Sequence, residues 1–114
     1  MREKIEKLQN TPIVWGEMEA NYAEWAAGTD VTLLFAGLPD DKCPCPHWGY
    51  VFYGSLHIRY SDDSEEIIKA GEAFYNPPGH TAWVEEDTAF LIFSPHEEHA
   101  KVMEHVQKKL KELS

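Results

Sequence analysis

The chain has 114 residues, with 20 acidic side chains against 10 basic ones and a formal net charge of -10 at pH 7. That length builds one domain around one core, residues 1–114, and the acidic balance offers no electrostatic footprint for a phosphate backbone or an anionic lipid surface. Nucleic-acid and membrane partners are therefore not expected.

The opening MREKIEKLQN is charged at nearly every other position and lacks the apolar run of a signal peptide, while VTLLFAGL is too short to span a bilayer, so a cytoplasmic location is expected. Ile5 and Leu8 share one side of a short amphipathic N-terminal helix that Thr11 and Pro12 would end. IVW at 13–15, a stretch around Tyr22 and Trp25, and VTLLF at 31–35, bounded by Gly28, Gly37 and Pro39, follow; at least one of these is a strand. From His47 onward, short β-rich runs alternate with turn residues: YVFYGSLHIRY, SDDS, EEIIKAGEAFYNPPG, HTAWV, EEDT and AFLIFSP. That spacing predicts an all-β antiparallel sandwich or barrel over about residues 12–94. After Pro95 the period changes. His99, Met103, Val106, Leu110 and Leu113 recur at helical spacing, and acidic Glu97 and Glu98 precede basic Lys108, Lys109 and Lys111, so an amphipathic helix is expected over about 96–113.

The segment CPCPHWGY holds the chemistry. Cys43, Cys45 and His47 stand at every second position and share one face if the chain is extended. Three outcomes are open for them: a metal site, a disulfide, or plain packing. A reduced cytoplasm and a separation of roughly 6.5 Å with parallel Cβ vectors both disfavour the disulfide. Pro44 and Pro46 remove two backbone donors, which places the stretch at an edge or in a loop and leaves the thiols accessible. Core packing of small buried cysteines and a hydrogen-bonded histidine remains the alternative.

Other histidines have plainer readings. HEEH at 96–99 has its histidines three apart, one short of the zincin spacing, and reads as a solvated first turn, as does His105 farther along. His57 and Arg59 alternate with Leu56 and Ile58, which puts the polar pair on a solvent face. Trp48, Tyr50, Phe52, Tyr53, Phe74, Tyr75 and Trp83 are expected to fill the core for the most part, with some lining a small cavity.

The run GSLHIRYSDDSEEIIKAGEAFYNPPGH resembles the small single-domain cupins, with Gly71, Pro77 and Gly79 matching their Gly-x5-Pro-x-Gly signature. More narrowly, GLPDDKCPCPHWGYV, AGEAFYNPPGHTAW and FSP look like a subgroup of cupin-like proteins of undefined function. The resemblance, over residues 37–95, implies a conical β-barrel or jelly roll, often dimeric, with a divalent metal commonly held inside by three His and one Glu. This chain departs from that set. Cys43 and Cys45 fall where the family has two His, His47 falls where it has Glu, Ala82 replaces the later His, and Glu86 the later Asn. His80 stands two residues early, on the same strand face but roughly 6.6 Å along.

The candidate metal ligands are thus Cys43, Cys45, His47 and His80, a soft mixed set that suits zinc, with iron(II) second. Four protein ligands would close the site and favour a binding module over an enzyme. The expected partners are a small molecule in the barrel and a second copy of the chain. The rival is a metal-dependent dioxygenase, isomerase or decarboxylase, with Tyr53 and Tyr75 as loose acid–base candidates.

Overall fold

A computed structural model describes residues 13–113. Its strands are β1 (Ile13–Trp15), β2 (Met18–Trp25), β3 (His47–Tyr53), β4 (Ser55–Tyr60), β5 (Glu65–Lys69), β6 (Ala73–Asn76), β7 (His80–Trp83) and β8 (Thr88–Pro95), followed by helix α1 (His96–Leu113). Five strands form one antiparallel sheet in the order β1-β2-β8-β3-β6, and three form a second in the order β5-β4-β7. The expected barrel takes the form of two facing sheets, and no closed ring of strand pairing runs through the described residues. The predicted N-terminal helix lies outside them. None of the described helices is long and apolar enough to cross a membrane.

Alternation in the sequence sets the inner faces. On β4, Leu56 and Ile58 point in and join Val51, Ile68, Ala82, Val84 and Phe90 in the core between the sheets. Their neighbours His57 and Arg59 point out, as expected: His57 stacks on Trp83 with ring centroids 5.3 Å apart, and Arg59 covers the same ring and pairs with Glu65 at 2.8 Å. VTLLF, apolar enough for a strand, forms a 3₁₀ turn at Thr32–Phe35 instead. There Phe35 packs with Val102 and Val106 of α1, a second core cluster that also buries Cys43 and Cys45.

Two expectations about side chains are corrected here. Trp48, Tyr50, Phe52 and Tyr75 are exposed rather than buried, on the outer face of the five-stranded sheet, and Tyr53 is exposed as well. The helix stripe is also offset. His99, Val102 and Val106 are buried, whereas Met103, Leu110 and Leu113 are not, because the helix docks through its first three turns. His105, read as solvated, is half-buried and donates from Nε2 to the Ala36 carbonyl at 2.8 Å.

Glycine is required at Gly54, which joins β3 to β4 at φ +80°, and where an added Cβ would overlap the Thr88 side chain and the Asp87 carbonyl. Gly71 has a similar φ of +86° with open space around it. Both alanine variants incur the left-handed backbone cost of about 1 kcal/mol. Gly54→Ala also overpacks its site, so it should be less stable than Gly71→Ala by about 1–3 kcal/mol in urea unfolding. Equal losses would contradict this packing.

Candidate functional site

Backbone pairing builds the site before side chains enter. Cys43 bridges His80 in antiparallel fashion: Cys43 N donates to the His80 carbonyl at 2.7 Å, and Gly79 N donates to the Cys43 carbonyl at 2.8 Å. His47 opens β3 directly opposite Asn76, the last residue of β6, and Pro77 to Gly79 then lead into β7. CPCPH and PPGH are thereby held side by side.

The donor atoms of Cys43, His47 and His80 all lie within 4.8 Å of one another, so these three could hold a metal ion. Cys43 Sγ is 3.7 Å from His47 Nε2, and the two imidazole rings meet edge to face with centroids 4.9 Å apart. His80 Nδ1 lies 2.8 Å from the Pro77 carbonyl oxygen, which can only accept, so the proton is on Nδ1 and Nε2 keeps its lone pair. His47 is oriented by a 2.7 Å hydrogen bond between Nδ1 and the Ser94 hydroxyl. Fixing one ring nitrogen and freeing the other is how proteins aim imidazole ligands.

Cys45 stands apart from this group. The chain bends at Cys45, whose side chain is buried like those of Cys43 and His47 but whose Sγ donates to the Pro46 carbonyl at 3.5 Å. Both thiols are free and fully buried at 0 % exposure, against the expectation of accessible thiols, because α1 and the Phe35 turn cover them. Ala82 lines the interior, and Glu86 is exposed and accepts from the Ser55 hydroxyl.

The cluster sits at one side of a cavity of about 340 Å³ between the sheets. Its walls are mostly apolar, with Trp25, Phe35, Leu56, Ile58 and Phe90 among them, and Asn21, Asn76 and His99 add polar groups. Burial dominates the electrostatics. It pushes the Cys43 thiol up to about 11 and the Cys45 thiol up to about 12, the latter reinforced by Cys43, Glu98 and Glu19. It holds His47 well below the ordinary imidazole value, with His80 and His99 adding to the effect, and lowers His80 too.

Sequence reasoning missed Glu19 and misread His99. Glu19, in β2, is 3 % exposed and accepts from His96 Nδ1 at 2.9 Å, from His99 Nδ1 at 2.8 Å and from Asn21. Burial raises its pKa, but the hydrogen bonds from Asn21, His99 and His96 outweigh burial and the net shift is downward. His99 is buried beside His47, rings at 89° and 5.4 Å. A lone acidic residue in an unassigned stretch and two histidines 77 and 80 positions away in sequence carry no local signal of meeting.

No protein-family model matches the chain, and no curated protein matches it. Solved structures do resemble it. They include a cupin-2 domain protein of Shewanella frigidimarina, with 15% identity over 82% of this chain and 90% of that one and a TM-score of 0.56. A cupin superfamily protein of Desulfitobacterium hafniense has 11% identity over 76% and 79% of the two chains, with a TM-score of 0.55. The salicylate 1,2-dioxygenase of Pseudoaminobacter salicylatoxidans, solved with gentisate, has 13% identity over 81% of this chain but 24% of its own, with a TM-score of 0.55. The fold is that of the cupins.

The histidine shifts carry a pH dependence with a definite sign. A folded-state pKa held below the unfolded value of 6.5 means the unfolded chain binds protons first, so stability is fully present above pH 6.5 and falls as pH drops below it. The melting temperature should therefore decline from pH 7 to pH 5, before ordinary carboxylates titrate. His47→Gln should flatten that decline, and a wild-type melting temperature constant over this range would contradict the buried neutral imidazoles.

Proposed function

We propose that the chain binds a divalent metal, zinc by preference, through Cys43, His47 and His80, beside a cavity that takes a small apolar organic molecule. The observation that carries the reading is the convergence of three soft donors, from segments more than 30 positions apart in sequence, on one wall of that cavity. Sulfur and imidazole donors suit zinc, with iron(II) next, and disfavour magnesium and calcium. The donors present fit such an ion: His80 offers a free Nε2, and Cys43 becomes a ligand once its proton leaves. A metal there would supply Lewis-acid polarisation of a bound oxygen or carbonyl. The chain's own residues supply the remainder, with Ser94 orienting His47, the Pro77 carbonyl orienting His80, and Trp25, Leu56 and Phe90 excluding water around a ligand.

With Cys45 outside the cluster, three strand- and loop-borne donors converge, which leaves a fourth position on a tetrahedral ion for water, a small molecule or a further protein donor. The second reading, a metal-dependent enzyme of dioxygenase, isomerase or decarboxylase type, draws on this and on the cupin fold shared with the salicylate dioxygenase. Tyr53, exposed at the β3–β4 turn, and Tyr75, on the outer sheet face, stand away from the cavity and have no part in it.

Metal analysis of untagged protein should find about one zinc per chain, lost in His47→Ala and Cys43→Ser and retained in Cys45→Ser. Because the Cys43 thiol is raised to about 11, zinc binding in weakly buffered solution at pH 7.5 should release about one proton per metal. A metal-free wild type, or full zinc in Cys43→Ser, defeats the reading.

A homodimer and a cytoplasmic location complete the proposal. Trp15, Trp48, Tyr50, Phe52 and Tyr75 share the outer face of the five-stranded sheet, each more than a third exposed, and a contiguous aromatic patch of this kind favours a partner surface. Trp15 stacks on Phe93 and Trp48 lies against Tyr75, so the patch crosses from β1 to β6. Sedimentation at micromolar concentration should give twice 13.1 kDa, and Trp48→Glu should halve it; a wild-type monomer excludes the pairing.

A further inference from the structure

A tetrahedral zinc site takes four ligands, and the cluster of Cys43, His47 and His80 supplies three. Cys45 is poorly placed to be the fourth, because its Sγ lies outside the converging donor group and donates to the Pro46 carbonyl at 3.5 Å. His99, in the first turns of α1, packs edge to face on His47 with ring centroids 5.4 Å apart and lines the same cavity. Its Nδ1 donates to Glu19 Oε2 at 2.8 Å, since a carboxylate can only accept, which leaves Nε2 as the ring nitrogen available to a metal. Among the described residues no hydrogen bond engages that Nε2.

The plain alternative is that Glu19 merely anchors the helix. His96 is the internal comparison, because it bonds the other oxygen of the same carboxylate at 2.9 Å, yet its side chain is 41% exposed and does not line the cavity. A pure anchor needs only a residue like His96. His99 instead places an imidazole, braced by a buried carboxylate, edge-on to a metal-competent cluster. This is the carboxylate–histidine arrangement that orients metal ligands and strengthens them as donors.

We propose that His99, positioned by Glu19, is the fourth protein ligand of the Cys43–His47–His80 site, so that metal binding ties helix α1 to the sandwich across the cavity. The inference rests on the metal reading of the preceding subsection. Its consequence is mechanical as well as chemical: α1 contributes Val102, Met103 and Val106 to the cavity wall, so metal occupancy and closure of that wall become one event. A small molecule that competes for the metal would displace His99 and loosen the helix.

Cobalt(II) titration followed by visible absorption tests this, with amide hydrogen exchange across residues 96–113 measured with and without zinc. Wild type should give the intense bands of tetrahedral cobalt. His99→Gln should bind about 10–100-fold more weakly with diminished bands as water enters, Glu19→Gln should weaken binding by about tenfold, and His96→Gln should match wild type. Zinc should slow exchange in α1 of wild type and leave it unchanged in His99→Gln. Wild-type affinity and spectrum in His99→Gln, or α1 exchange indifferent to zinc, overturns the proposal while leaving the three-ligand reading intact. A wild type that binds neither ion overturns both. If His99→Gln fails to melt cooperatively, Glu19→Gln decides, and unchanged cobalt affinity there counts against the role of His99.

Discussion

The antiparallel bridge between Cys43 and His80 is the constraint on which the site depends. Two backbone hydrogen bonds of 2.7 and 2.8 Å join a proline-rich loop to the start of β7, across 37 positions of sequence. Pro44 and Pro46 cannot donate to a ladder, so the segment cannot enter the sheet as a central strand. Cys43, lying just before them, keeps its N–H and uses it. The result is a point of attachment after which the chain bends at Cys45 and delivers His47 to β3 opposite Asn76.

Around that attachment, apolar walls set the charge state. Burial opposes ionisation in both directions, raising the thiols and lowering the imidazoles, so a site made of Cys43, His47 and His80 is electrically neutral at pH 7. Such a cluster is chemically quiet by itself, since the nucleophilic form of cysteine is the thiolate. A dication changes the balance by supplying the charge that stabilises a thiolate in a low-dielectric setting.

Glu19 is the exception to neutrality, an ionised carboxylate in the interior. Burying such a charge costs several kcal/mol unless it is hydrogen-bonded on all sides. Asn21, His96 and His99 provide those bonds, two of them from the helix. The docking of α1 onto β2 and the satisfaction of Glu19 are therefore the same interaction, supplemented by the His96 N–H donating to the Glu17 carbonyl at 2.8 Å and by His105 holding Ala36.

The sequence alone determined the antiparallel β class, the C-terminal helix and the segments that carry the candidate site, because these depend on local quantities: alternation along SLHIRY, turn chemistry in SDDS and NPPG, and helical period after Pro95. It also named His47 and His80 as candidate ligands of one site. Tertiary structure alone decided that their rings meet, that Cys43 joins them while Cys45 does not, and that Glu19 reaches His99. Those outcomes turn on a bend of the chain at Cys45 and on pairings between residues tens of positions apart, and neither leaves a period in the sequence. The outward aromatics illustrate the same limit, since alternation shows which residues share a face of β3, whereas only packing against β4 and β7 decides which face is inside.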